Sequence, residues 1–273
     1  MNDSARPGEY VLGHSDRELA RLERQAQFFA EMTRDVLIRA GVGPGMRVLD
    51  LGCGVGDVSQ IAAALVGPGG RVLGIDISGA ALAIARARAT GAAQNNLEFR
   101  IGAIDDFFGF GDFDAIVGRF ILIHLPDAAA TISRIARQAR PGTPLAFAEL
   151  DLTSASATKN LPLMTRNIAH IIEVYRKAGF EPDMGSRLHA TFRAAGLEPT
   201  LLGYTRIGSR ADTAGFDYLV ESVRSLAPVM AKLGIVSPDE IGLDTLRDRL
   251  LAEADAADAC IFYPRFIGAW ARA

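Results

Sequence analysis

Apolar and polar residues alternate along the chain with two different periods. Between Ser15 and Ala40, the residues Leu19, Leu22, Ala26, Phe29, Val36 and Leu37 recur at helical spacing with arginines and acids between them, which predicts an amphipathic helix. The run GVGPG ends it. Short apolar runs then follow at Arg47–Leu51, at RVLGID (71–76), at LEFRI ending near Gly102, at FDAIVG (113–118) and at TPLAFAEL. Each reads as a strand. The stretches between them read as helices: one from about Gly56 to Val66 that ends in GPGG, and an alanine-rich one behind Ser78 as N-cap. A third opens with Pro126 as its first residue and must stop before Pro141. Apolar strands that alternate with helices over residues 47–150 predict an α/β fold with a parallel sheet buried on both faces. Such sheets bind ligands at the carboxyl ends of their strands, beside the point where strand order reverses.

After Asp151 the rhythm changes. Residues 162–178 read as a helix, GSRLHATFRAAGLEP as another ending at Gly196, and TLLGYTRIG as a strand. Residues 213–254 are mostly helical with a break at GIVSPDEIG, and ACIFYPRFIGAWARA supplies a final strand. No internal repeat or low-complexity linker is present, so these helices are expected to cap the sheet edge and not to form an independent domain.

Composition narrows the possibilities. The 273 residues are 49% hydrophobic and 22% charged, with a formal net charge of -3. The arginines are scattered, so the charge leaves no footprint for nucleic acid. Two cysteines, Cys53 and Cys260, make neither a disulfide framework nor a metal set, and no metal is expected. The polar opening MNDSARPGEY lacks the apolar core of a signal peptide. The most apolar helical stretch, GAALAIARARAT, is interrupted by arginines and falls short of the roughly 20 residues that cross a bilayer. A cytoplasmic protein with no membrane partner is the expectation.

The run VLDLGCGVGD (48–57) carries the chemistry. After a strand and before a helix, glycines let backbone approach a ligand, and the helix start offers free N–H groups. The spacing is Gly52, Gly54, Gly56 behind Asp50, and Asp57 stands where a dinucleotide fingerprint would place its third glycine. An acid in the first helical turn would repel a pyrophosphate, which counts against NAD, as does the lack of a Tyr-x-x-x-Lys pair. Asp76 lies twenty residues beyond Gly56 at the end of the second strand, where a carboxylate can accept both hydroxyls of a ribose.

With these pieces together, the sequence resembles the class I S-adenosylmethionine-dependent methyltransferases. VLDLGCGVGD resembles their first motif, VLGIDIS the second, FDAIVGRFILIHLPD the fourth and RPGTPLAFAE the region of the fifth strand. YVLGHSDRELARLERQAQFF with GRFILIHLPD is similar, more narrowly, to bacterial small-molecule methyltransferases. The resemblance implies a Rossmann-like, doubly wound, mostly parallel seven-stranded sheet with an N-terminal helix and an inserted helical lid. It divides the chain into an N-terminal helical segment over the cofactor site (1–45), a cofactor-binding core (46–152), and the rest of the sheet with a lid for the acceptor (153–273).

The resemblance also implies roles. The cofactor is S-adenosyl-L-methionine. The backbone of Gly52, Cys53 and Gly54, with Asp50 before it, would meet the methionine part, Asp76 the ribose, and Ile77 the adenine. Many relatives carry an aspartate after the third strand for the adenine amino group; here RIGAIDDF puts Ala103 there, so backbone groups of Ala103 and Ile104 are assigned instead. Arg119 and Phe120 would face the methionine end and the reacting centre.

The acceptor side is written more thinly. Methyl transfer to a phenol or alcohol requires loss of a proton, whereas a neutral amine or electron-rich carbon can attack first. In some O-methyltransferases a catalytic histidine follows the fourth strand. Setting Asp127 against the acid of that motif puts Ile123 at the catalytic position, which favours His124 as structural or cofactor-adjacent. The catalytic candidates are Tyr10, His14, His124 and Glu149, and the acceptor-binding candidates are Asp151, Arg166 and His170. The expected activity is methyl transfer to a small-molecule acceptor, with O-methylation ahead of N- or C-methylation. A cofactor-binding protein without transfer is the rival from another class, and a homodimer is allowed for.

Overall fold

The computed structural model describes the backbone of residues 16–92 and 94–273, and side chains from residue 26 onward apart from residue 93. In chain order the elements are α1 (Asp16–Ala40), β1 (Arg47–Leu51), α2 (Asp57–Val66), β2 (Arg71–Asp76), α3 (Gly79–Gly91), β3 (Leu97–Ile101), β4 (Ala115–Arg119), α4 (Ala128–Gln138) and β5 (Pro144–Asp151). They continue with β6 (Ser156–Ala157), α5 (Pro162–Lys177), α6 (Met184–Ala194), β7 (Thr200–Tyr204), β8 (Ile207–Gly208) and α7 (Ala214–Lys232). The last are α8 (Pro238–Ile241), α9 (Leu246–Ala256), β9 (Ile261–Phe262) and β10 (Arg265–Arg272). Two compact units emerge. One comprises Phe29–Glu149, Met184–Gly203 and Phe266–Ala273; the other comprises Leu150–Asp183, Tyr204–Arg265 and α1 as far as Phe28.

The first unit is built on a seven-stranded sheet of order β3-β2-β1-β4-β5-β10-β7. The pairs β1–β2, β2–β3, β1–β4 and β4–β5 are parallel. Strand order reverses between β1 and β4, which makes the carboxyl ends of those two strands the switch point. The period of two is visible within β1. Val48 packs with Val58, Ala62 and Val66 of α2, while Leu49 and Leu51 pack on the other face in a cluster that includes Ile132 and Ile135 of α4 and Leu188 and Phe192 of α6. Both faces are dry, which explains why the strands read as unbroken apolar runs.

The second unit is mostly helical. α5 packs on α7 and α9, and α7 on α8. A small antiparallel sheet of order β6-β9-β8 accompanies them. The Tyr263 hydroxyl accepts from the Leu219 amide at 3.1 Å, and the Phe28 ring stacks on Tyr218 with centroids 5.1 Å apart.

Several boundaries depart from the sequence expectation. α4 begins at Ala128 and not at Pro126, because the Asp127 carboxylate caps the helix by accepting from the Ala130 amide at 2.8 Å. A 3-10 turn at Leu122–His124 fills the gap after β4. The expected final strand is two strands in different sheets, β9 and β10, with Pro264 between them. The expected strand TLLGYTRIG likewise splits into β7 and β8, which join different sheets. The break at GIVSPDEIG contains α8, opened by a capping box in which Ser237 and Glu240 satisfy each other's backbone amides. No helix among the described residues is long and apolar enough to cross a membrane.

Candidate cofactor and active site

Within the first unit, the parallel register brings Asp50, Gly52, Asp76 and Arg119 to the same end of neighbouring strands. The turn after β1 has Gly52 at φ 63 and Gly54 at φ 53, the left-handed region that other residues enter at a cost. Their surroundings differ. A Cβ on Gly52 would lie 2.3 Å from Ile121 Cδ1, so this glycine exists to admit a neighbouring side chain. A Cβ on Gly54 would meet nothing within 4 Å, so its bare backbone faces open space. Gly54 is where a ligand can rest on main chain.

Asp76 closes the turn from β2. Its Oδ2 accepts from the Gly54 amide at 2.8 Å and its Oδ1 from the Ser78 amide at 2.8 Å. Ser78 caps α3 as expected, accepting from the Ala81 amide at 3.2 Å. Ile77, between the two, is 66% exposed. An apolar side chain this bare beside a fixed carboxylate offers a flat surface to an aromatic ring. Next to it, Ala103 and Ile104 turn back on themselves: their carbonyls accept from the Asp106 and Phe107 amides, and Arg134 also donates to the Ile104 carbonyl at 2.8 Å.

Asp50 is buried beneath the turn, with Oδ2 accepting from the Ser59 hydroxyl at 2.6 Å. Its Oδ1 is buried without a hydrogen-bond partner. Burial pushes this carboxyl up from 3.8 to about 7, against the opposing pulls of the Ser59 hydrogen bond and of Arg119. An orphaned buried acceptor of this kind is costly unless a donor reaches it. Burial likewise raises the Cys53 thiol far above its usual range, so Cys53 offers no thiolate.

Arg119 ends β4 with its side chain almost fully enclosed. It donates to Thr33 Oγ1 at 2.9 Å, lies 3.5 Å from Asp57 Oδ2, and sits over the Phe120 ring at 5.2 Å. Asp57 also pairs with Arg88 at 2.7 Å. The acid in the first turn of α2 is therefore held between two guanidinium groups, and an anionic ligand finds a carboxylate already at this helix start. Phe120 has φ 58, unusual for a residue with a side chain, and its ring meets Phe29 and Phe266 edge-on at 5.2 and 5.9 Å.

The other named candidates are placed as follows. His124 ends the turn after β4; burial lowers its pKa while the charge of Asp76 acts in the opposite direction, so its imidazole is neutral at pH 7. Glu149 is 1% exposed and its Oε1 accepts from the Leu122 amide at 2.7 Å, so it points into the protein. Asp151, in the second unit, is equally buried, taking hydrogen bonds from Thr153 and pairing with Arg265 at 3.1 Å. Arg166 and His170 lie on α5, one turn apart. Burial and the Arg166 charge lower the His170 pKa, and its Nδ1 has no partner. Tyr10 and His14 fall outside the described residues. Sequence reading missed Ser59, Thr33 and Ile121. A hydroxyl in the first turns of α2 was a usable signal for Ser59; Thr33 and Ile121 carried none, because their partners lie far away in sequence.

A three-glycine turn at a switch point, an acid ending the next strand and an open main-chain surface between them define a nucleotide-binding α/β protein. Residues 43–196 match the family described as "Methyltransferase domain", and the chain belongs to that family of class I S-adenosylmethionine-dependent methyltransferases. It is 40% identical over 119 residues to nocamycin O-methyltransferase of Saccharothrix syringae, covering 42% of this chain and 41% of that protein. To a ubiquinone biosynthesis O-methyltransferase of Aromatoleum aromaticum it is 29% identical over 198 residues, covering 67% of this chain and 80% of the relative. Its fold is shared with phosphoethanolamine N-methyltransferase 2 of Haemonchus contortus, solved in complex with S-adenosylhomocysteine. That match has a TM-score of 0.53 and 19% identity, and covers 88% of this chain and 52% of the other. The cofactor of the family, S-adenosylmethionine, agrees with the site, where Gly54 leaves room over the main chain beside the Asp76 carboxylate.

Proposed function

We propose that this chain transfers a methyl group from S-adenosylmethionine to a small-molecule acceptor, with oxygen the favoured acceptor atom. The observation that carries the reading is the Asp76 carboxylate fixed on the Gly54 amide beside a main-chain surface with no side chain over it. Asp76 then holds the ribose hydroxyls, and Ile77 lies against the adenine. The amino-acid end falls to the Gly52–Gly54 backbone, to the orphaned oxygen of Asp50 and to Arg119.

The bound sulfonium supplies an activated methyl carbon, so the chain's own contribution is chiefly orientation, worth up to roughly 7–11 kcal/mol in favourable cases. Phe120, held by Phe29 and Phe266, walls the methionine end. His124, whose pKa burial lowers, is the candidate proton acceptor for a hydroxyl substrate. Oxygen as acceptor rests on the two relatives named as O-methyltransferases.

Calorimetric titration with S-adenosylhomocysteine and with NAD, followed by labelled-methyl transfer to phenols, alcohols, amines and carbon acids, tests the reading. Binding of the first ligand alone and transfer to a hydroxyl are expected. NAD binding, or cofactor binding with no transfer to any acceptor in the panel, overturns it.

A further inference from the structure

Glu149 is absent from the roles above, yet it is buried with a backbone amide of the turn after β4 on its carboxylate. Its carboxylate accepts from the Leu122 amide at 2.7 Å. This amide opens the turn Leu122–His124, so a side chain from β5 caps a turn that follows β4. The chain leaving β4 is thus anchored twice on the neighbouring strand. The Phe120 amide donates to the Ala148 carbonyl at 2.9 Å, and the Leu122 amide to Glu149 at 2.7 Å.

What these anchors hold is the wall of the glycine turn. Phe120 passes through φ 58 between the two anchors, a conformation that surrounding contacts must enforce. Ile121 then lies directly over Gly52, with its Cδ1 2.3 Å from where a Cβ would be, and over Gly118, with its Cγ2 2.8 Å from the same position there. His124, at the far end of the turn, is within reach of the Asp76 charge. A buried carboxylate is an expensive way to cap one turn, since burial pushes it up to about 8. An apolar residue would serve packing alone.

We propose that Glu149 is a positioning residue for the cofactor: its carboxylate holds the turn after β4 by the Leu122 amide, which sets Ile121 on Gly52 and keeps Arg119 and His124 at the cradle. This rests on the cradle being the S-adenosylmethionine site. Removal of the cap lets the turn relax and shifts the wall that Ile121 makes over Gly52.

The test compares Glu149→Gln, which keeps one oxygen acceptor, with Glu149→Leu, and uses Ile132→Ala in the α4 core as a control for lost stability. Melting temperature and S-adenosylhomocysteine affinity are measured on each folded protein. Affinity is expected to fall in the order wild type, glutamine, leucine, with at least ten-fold lost at leucine, while the control melts earlier and binds as wild type. Affinity within two-fold of wild type in either Glu149 variant overturns the proposal. So does a loss that the control reproduces at equal stability. If the leucine variant does not fold, the glutamine variant decides alone. Absence of binding by the wild type would sink the cradle reading instead, a result distinct from all of these.

Discussion

The Gly54 amide and the Asp76 carboxylate meet at 2.8 Å across 22 positions of sequence. This bond joins the turn after one strand to the end of the next, and turns two loops into one surface. Its loss in Asp76→Ala is expected to lower S-adenosylhomocysteine affinity at least ten-fold, as both the backbone tie and a ribose acceptor disappear. Asp76→Asn should fall between. Calorimetry that finds Asp76→Ala equal to wild type would show the site to be elsewhere.

Gly52 and Gly54 should respond differently to alanine. At Gly52 the new methyl meets Ile121 in a left-handed backbone, so a stability loss of about 1–3 kcal/mol is expected by urea denaturation. At Gly54 the methyl enters open space, so only the backbone cost of about 1–2 kcal/mol remains. Its larger effect should be on ligand affinity. Equal loss of affinity and stability at the two positions would contradict the assignment of Gly54 as the contact surface.

Arg119 offers a test by ligand truncation. Arg119→Lys replaces a planar fork that reaches Thr33 and the Asp57 carboxylate with a point charge. Affinity for S-adenosylhomocysteine should fall about ten-fold, consistent with the loss of a charged hydrogen bond. Affinity for 5′-methylthioadenosine, which lacks the amino-acid group, should not change. A parallel fall for both ligands would move Arg119 away from the methionine end.

Stability of the unliganded protein should decline as pH rises. Asp50 and Glu149 sit in the folded state at about 7 and about 8, above their ordinary values of 3.8 and 4.5. A raised value means the folded state holds the proton more tightly, so the stabilisation is complete below the ordinary value. It drains away up to the folded one. Melting temperature is expected to drop between pH 5 and pH 8, and the drop should shrink in Asp50→Asn. A flat profile in the wild type, or an unchanged slope in the variant, would count against a buried protonated carboxyl at Asp50.

Local features of the sequence identified the first unit well. Five apolar runs separated by helical stretches specify a parallel sheet because each strand is buried on both faces, and the glycine run with Asp76 marks the ligand end of it. Motif likeness reached the family from the same residues. The acceptor side was harder to read: Arg166 and His170 share a face of α5, but a polar stripe on a helix looks the same whether it meets water or a substrate.

What the sequence alone determined is therefore whatever depends on neighbours in the chain: the strands, most of the helices, the left-handed glycines and the acid at the end of β2. Tertiary structure alone decided the rest. The two terminal runs split between sheets, which depends on partner strands, as in the pairing of Phe262 with Ser156 and Ile207. Asp57 became the partner of Arg88 and Arg119, and Glu149, a catalytic candidate by sequence, became the buried cap of an amide 27 residues away at Leu122. Backbone amides are the same at every position, so a side chain that binds them leaves no mark at the residues it binds, and only the folded chain reveals the pairing.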